Sequence, residues 1–365
     1  MPKSALYSGK NQARDGRQTQ KEFFMKKIAA VARALTIAVV SLLWLAGCRK
    51  DAAPRQLPLI FAHNQKSVLN PYSYGSHAFK EKIGEISGGT ISVECMNGTL
   101  AEDEDELVKK MQMGAASIVV VSPGFMASLG IPEVDMLSLP YLFESADHWK
   151  KNVDGQFGKE LSEIVRERSG NHFRILGYWS ASVRNYYGKK AVRAPEDLAG
   201  LRIRTQPSTP QMQFWKECGA EPSVIPWSEM EKSLEKELID AAENDYTNIL
   251  LNGHHKMKNG TFISETNHDF TTRFLLMDGA LYDSLSAQQK AWIDEAAQYA
   301  TELERERAFE MESISKWQVT EDGATITERN EVDIGKFTAI AVPIQDDFAE
   351  RTGTERLLRM VRGTK

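Results

Sequence analysis

The chain has 365 residues, 26% of them charged and 42% hydrophobic, with 45 Lys and Arg against 50 Asp and Glu. With no basic surplus and no basic block, binding to nucleic acid is not expected. Three cysteines cannot frame a disulfide scaffold, and no CxxC or Cys/His spacing suits zinc, so neither metal nor cofactor is expected.

Residues 1–24 are polar and precede Met25-Lys26-Lys27, which makes Met25 the expected start of translation. Residues 28–46 are almost wholly apolar, Arg33 being the one charge. A basic start, an apolar core and small residues at its end make a secretory signal. The uncharged run from Ala34 is about 14 residues, short of the ~20 a membrane-spanning helix needs. It closes on Leu45-Ala46-Gly47-Cys48, which resembles a bacterial lipobox and implies cleavage before Cys48 with lipid on that residue. Removal of residues 1–47, with eight basic and two acidic side chains, leaves 37 basic and 48 acidic side chains, a net charge of −11. Such a surface favours solubility, so an anion site must be built from local arginines.

Residues 48–56 read as a lipidated tether. Beyond it, 57–62 reads as a strand and 72–86 as a helix with Phe79, Ile83 and Ile86 on one face, stopped by Gly88-Gly89. A strand is expected over 90–94, a helix over 104–113 with Leu107, Val108 and Met111 inward, and a buried strand over 118–121. This β-α-β-α-β succession argues for a mainly parallel, helix-covered sheet. A second such series begins near Val183, with strands at 201–204, 223–225 and 239–242 and helices at 210–218, 228–234 and 246–251. An apolar strand at 270–277 follows. Trp292, Ala296, Tyr299 and Leu303 then mark a helix from about 286 that extends toward Trp317; about 30 residues would be about 45 Å. A strand at 324–327 and a helix over 332–350 end the pattern. Two α/β series in one chain imply two lobes with a cleft between them. Cys95 and Cys218 fall in different lobes and are expected as free thiols.

Several segments carry a family resemblance. They are Arg184-Asn185-Tyr186-Tyr187, the run from Ala194-Pro195-Glu196-Asp197-Leu198 to Arg202-Ile203-Arg204, Pro226-Trp227-Ser228-Glu229-Met230, and Ile239-Asp240-Ala241-Ala242-Glu243-Asn244. With Gly88-Gly89-Thr90-Ile91 and Leu139-Pro140-Tyr141-Leu142-Phe143, they resemble the solute receptors of tripartite ATP-independent periplasmic (TRAP) transporters, the DctP family. The likeness covers nearly all of 57–350. It implies an α/β, two-lobed periplasmic-binding-protein-like fold with crossing strands and a long helix bracing both lobes. The expected division is 57–181 as lobe I, 182–269 as lobe II, 270–310 as a return to lobe I with the long helix, and 311–365 completing lobe II. The resemblance also implies closure on a small organic acid, delivery to a membrane permease and no catalysis. A lipid-anchored, extracytoplasmic monomer is the expected form.

The resemblance assigns Arg204 to the ligand carboxylate. Guanidinium is planar, always charged and offers paired donors that match two carboxylate oxygens. Strand geometry alone puts Arg202 and Arg204 on the same side, so it is the resemblance that favours Arg204 and leaves Arg202 at the surface. Arg184 matches a second family arginine; otherwise it would serve an interlobe salt bridge. Asn244 suits a carboxylate edge or a neighbouring hydroxyl, or would cap the following helix, a duty Asp245 could equally take. Trp227 would wall the cleft or pack in the core, and Glu229 would support the next helix. From lobe I, His63, Asn64 and Gln65 end the first strand, where α/β folds place ligand contacts; Glu104 and Ser122 hold comparable positions. The run 102–106 would otherwise be a solvated helix start favoured by the macrodipole.

Sialic-acid-binding members of the family carry an asparagine where this chain has Pro207. His63-Asn64-Gln65 with Trp227 instead resembles members that bind hexuronates and related sugar acids, with C4-dicarboxylates as the alternative. Two other readings compete. An enzyme would need a motif such as GxSxG, HExxH, GxGxxG or a P-loop, none of which is present; adjacent His254 and His255, with His268, make a poor chelate. A receptor that presents its ligand to a sensor would share the same fold.

Overall fold

Strand and helix periodicity alternate through residues 57–121, and the first lobe follows that rhythm. The structure is a computed structural model that describes Met25 and residues 56–364. The export signal, Cys48 and nearly all of the tether lie outside the described residues. Strand β1 (Leu57–His63) lies parallel between β2 (Ile91–Asn97) and β3 (Ile118–Val121). Helix α1 (Pro71–Ile86) starts where Asn70 accepts a hydrogen bond from the Tyr72 N–H and Pro71 takes the first turn. Helix α2 (Glu104–Gln112) turns Leu107, Val108 and Met111 into the core. Ser122 caps the short α3 (Pro123–Ser128). Helices α4 (Ala146–Val153) and α5 (Gln156–Arg168), which the sequence reading passed over, bury Trp149, Val153, Phe157, Leu161 and Val165 at four-residue spacing.

The chain then crosses between lobes on β4 (Phe173–Gly188), 16 residues long. In the second lobe, β5 (Arg202–Thr205) lies parallel between β6 (Glu221–Val224) and β7 (Ala241–Asn244). The covering helices are α6 (Thr209–Glu217), α7 (Met230–Glu235) and α8 (Tyr246–Leu251). Strand β8 (Phe262–Asp278) crosses back, antiparallel to β4 along most of its length, with three register shifts. Its end pairs with β3 in the first lobe and its start with β9 (Thr325–Thr327) in the second, so one nine-stranded sheet runs β2-β1-β3-β8-β4-β7-β5-β6 with β9 on β8.

After the short α9 (Gly279–Ser284), helix α10 (Ala287–Glu321) has 35 residues, about 52 Å at 1.5 Å per residue. Ser286 and Gln289 close its start as a reciprocal capping box. Ile293, Ala296, Ala297 and Ala300 pack in the first-lobe core around Phe61, Phe79 and Trp179. Val319 packs in a second-lobe core with Tyr187, Leu234 and Ile249, so the helix braces both lobes. Helix α11 (Ile334–Thr352) also spans them, burying Phe337 and Ala341 beside Ile203 and Trp215. Phe348 and Ala349 from its end join Leu357, Leu358 and Val361 of α12 (Glu355–Gly363) in the first-lobe core with Leu107 and Trp149. The apolar stripe of α12 is thus covered by the first lobe. Cys95 and Cys218 are free and sit in separate clusters. Among the described residues no helix is long and apolar enough to cross a membrane.

Candidate ligand cleft

Parallel strands present their carboxyl ends to one edge, and there α/β folds build sites. The ends of β1, β3, β5, β6 and β7 converge on a cavity of about 180 Å³ between the lobes. Asn64, Gln65, Glu104 and Ser122 line it from the first lobe and Arg184, Arg204, Trp227 and Asn244 from the second. His63, also expected there, is not on the wall. Alternation along β1 puts it on the face of Leu59 and Phe61, fully buried, with its ring edge-on to Tyr72. Its Nδ1 accepts from the Gln65 N–H at 3.2 Å, and burial pushes its pKa down to about 3.

Arg204 stands at the carboxyl end of β5 and is 4% exposed. Its Nε donates to the Ile225 carbonyl at 3.0 Å. No hydrogen bond to another described residue occupies its terminal nitrogens, so the planar end of the guanidinium is free to grip a carboxylate. Burial works against its charge, and an anion bound there would relieve that cost. Arg202, two residues earlier on the same side, sits at the outer end of the strand. It grips Asp240 with Nε at 3.0 Å and Nη2 at 2.8 Å. Depth along the strand separates the two arginines.

Arg184 is 1% exposed and fully engaged by its neighbours on β7: the Glu243 carboxylate, the Glu243 carbonyl at 2.6 Å and Asn244 Oδ1 at 3.1 Å. Burial would raise the Glu243 carboxyl, yet the Arg184 guanidinium and His268 hold it at about 2. This buried pair fixes Asn244. Helix α8 takes its cap from Asp245, which accepts from the Asn248 N–H at 2.7 Å, and that leaves the Asn244 amide on the cavity wall. Trp227 is half-buried, tilted against His254 with ring centres 5.7 Å apart. Glu229 bonds Lys232 on the outside, as expected of a helix support.

In the first lobe, Glu104 Oε2 accepts from the Ser122 N–H at 3.0 Å and its hydroxyl at 2.5 Å, which ties the start of α2 to the end of β3. Gln65 donates to Asn64 Oδ1 at 3.1 Å. Tyr72, Asp103, Gln206, Asn248 and Arg273 also line the cavity and were not foreseen. Arg273 had a legible signal, being the lone charge in the apolar run 270–277. It donates to Gln206 Oε1 at 3.0 Å, and its Nε lies 4.0 Å from Glu104 Oε1. The three histidines weighed as metal ligands are dispersed: His254 on Tyr187, His255 on Asp322, His268 on Glu243. Among the described residues no group of His, Cys, Asp and Glu is arranged to hold a metal ion.

Two α/β lobes joined by crossing strands, with a buried guanidinium between them whose terminal nitrogens no described residue occupies, define a cleft-type binding protein for a small anion. The chain belongs to the DctP family, bacterial extracellular solute-binding protein family 7, whose match spans residues 61–352, and whose members are solute receptors of TRAP transporters rather than enzymes. It is 25% identical over 287 residues to a solute-binding protein of Chromohalobacter salexigens, covering 77% of this chain and 83% of the relative. It is also 25% identical over 291 residues to the C4-dicarboxylate-binding periplasmic protein DctP of Rhodobacter capsulatus, covering 79% and 85%. A TRAP periplasmic solute-binding protein from Sulfitobacter sp. NAS-14.1, solved with bound β-D-galacturonate, shares the fold at a TM-score of 0.77 and 22% identity, covering 84% of this chain and 99% of that one.

Proposed function

We propose that this receptor closes on a hexuronate or related sugar acid in the interlobe cleft and delivers it to the membrane permease of a TRAP transporter. Arg204 carries the reading: it is a buried cation in the cavity whose terminal nitrogens no described residue occupies. Asn244 flanks the carboxylate, Arg184 holds Asn244 in place, and Trp227 packs on the C–H face of the sugar. Asn64, Gln65, Glu104 and Ser122 meet the hydroxyls when the lobes close. The galacturonate-bound relative supports a sugar acid, and the Rhodobacter relative keeps C4-dicarboxylates as the comparison class.

Calorimetric titration of residues 49–365 with D-glucuronate, D-galacturonate, malate and neutral glucose tests this. A uronate should bind and glucose should not. Arg204→Ala and Arg204→Lys should each weaken the uronate at least about 100-fold, the cost of removing one partner of a buried charge pair. Unchanged affinity in Arg204→Ala would remove the clamp assignment. Lipid on Cys48 would confine the receptor near the permease, since two or more acyl chains anchor stably where one does not. Mass spectrometry of membrane-extracted protein should find Cys48 diacylated or triacylated; an unmodified thiol there would refute the anchor.

A further inference from the structure

The cleft carries an uneven charge pattern. Of its three arginines, Arg184 is neutralised by Glu243. Arg273 faces Glu104 and is bonded to Gln206 and to the Thr272 carbonyl. Among the described residues, Arg204 is the one of the three with no carboxylate in direct ion-pair or hydrogen-bond contact. The opposing first-lobe wall is acidic on balance, with Asp103, Glu104 and Asp105 lining the cavity against the single cation of Arg273. Of these, Asp105 is paired with Lys109 outside, and Asp103 turns both oxygens to Ser228. Glu104 spends one oxygen on Ser122 and lies near enough to Arg204 to support its charge. Beside them the Tyr72 hydroxyl is buried without a hydrogen-bond partner among the described residues, in the field of Arg273 and Glu104. A buried hydroxyl left unpaired costs free energy that a ligand hydroxyl would recover.

We infer that the cleft selects monocarboxylates and rejects diacids, because Glu104 and Asp103 occupy with negative charge the place where a second carboxylate would lie. This rests on the receptor reading above and narrows it. One carboxylate has one uncompensated guanidinium to meet. The far end of the ligand meets acceptor oxygens, which suit the donating O–H groups of a polyol. A second carboxylate would face like charges there, a repulsion that costs affinity.

D-gluconate and D-glucarate provide the test, since they share a six-carbon open chain and differ only in oxidation at C6. Wild-type protein is titrated with each and with D-glucuronate; Glu104→Gln and Asp103→Asn are then compared, each first checked for an unchanged melting transition. Gluconate should bind at least about tenfold more tightly than glucarate. Glu104→Gln should narrow that ratio threefold or more by improving glucarate, and Asp103→Asn should act in the same direction. Glucarate binding as tightly as gluconate in the wild type, with both lost in Arg204→Ala, would leave a carboxylate receptor standing but overturn the charge selection. A ratio that neither variant changes would also overturn it. Failure of all three acids to bind would instead overturn the sugar-acid reading beneath.

Discussion

Asp103 reaches across the mouth of the cleft to Ser228. One carboxylate oxygen accepts from the Ser228 N–H at 3.1 Å and the other from its hydroxyl at 2.7 Å. Asp103 stands at the cap position of α2, yet its side chain makes no capping hydrogen bond to that helix. Its acceptors serve the opposite lobe, at the start of the turn that carries Trp227. The pair is solvent-exposed, so its contribution is modest, about 1 kcal/mol. Because it forms only when the lobes meet, removing it should act on closure. Asp103→Ala should weaken binding of the preferred acid about fivefold, mainly through faster release, and leave the melting temperature of the ligand-free protein within about a degree. Stopped-flow dissociation checks this; an unchanged off-rate would show that the bond does not help hold the closed state.

A second contact is steric. Gly124, in the first turn of α3, lies so close to the second lobe that a Cβ there would stand 2.7 Å from the Pro207 carbonyl oxygen and 3.1 Å from the Ser208 Cβ. The near neighbour is backbone, which cannot swing aside. Gly124→Ala should therefore hold the lobes apart without disturbing either core, at a cost in the range of about 1–3 kcal/mol typical of overpacking. Small-angle scattering with saturating ligand should give a larger radius of gyration than the wild type, and affinity should fall fivefold or more. A wild-type scattering profile for the liganded variant would mean that the lobes accommodate the methyl.

How much of this could be read from the chain depends on whether the signal was periodic or tertiary. Strand β3 and helix α8 match their expected bounds, because Ile118 to Val121 is uniformly apolar and Asp245 supplies a clean cap. Strand β4 was not foreseen, the second series being expected only to begin near Val183. Its pairing with β8 shifts register at Ile175/Gly177, Ser180/Val183 and Arg184/Tyr186, and each shift breaks the two-residue alternation that marks a strand. Eight of the nine expected cleft residues line the cavity, since motif spacing carries strand ends with it. His63 was misplaced although the period of β1 already pointed it inward with Leu59 and Phe61. Asp103 and Tyr72 could not be found from spacing, because their importance arises from surfaces that meet only in three dimensions.

The free end of Arg204 has a thermodynamic consequence for the protein without ligand. A buried guanidinium with one carbonyl acceptor and no carboxylate in direct contact lowers stability relative to an apolar side chain of similar length, since desolvation outweighs what Ile225 and the more distant Glu243 and Glu104 return. Binding sites commonly trade stability for function in this way. Arg204→Met should abolish uronate binding while raising the melting temperature of the ligand-free protein by a few degrees, the shift expected for about 1–2 kcal/mol in a chain this size. Differential scanning calorimetry decides it: a lower melting temperature would mean that the fold itself depends on the cation.

The crossing strand β8 carries a buried acid whose protonation should appear as a signed pH dependence. Asp269 is 8% exposed, and burial, reinforced by Glu243 and Asp135, pushes its carboxyl up to about 7 despite Arg184 and Arg273. A carboxyl whose folded pKa lies above its unfolded value of 3.8 contributes stability that is fully present below 3.8 and is lost as pH rises through about 7. Other groups act in the opposite sense. Buried His63 and His254, each held neutral to about pH 3, contribute stability present above 6.5 that is lost as pH falls. The overall profile therefore mixes signs, and the informative quantity is the difference between wild type and Asp269→Asn, in which the histidines cancel. That variant keeps the shape of the side chain and removes its titration. Relative to the wild type it should gain stability as pH rises from 4 to 8, with most of the change between about 4 and 7 and a plateau above. Thermal melts of both proteins across that range test it, and a pH-independent difference would show that Asp269 stays ionised in the folded protein.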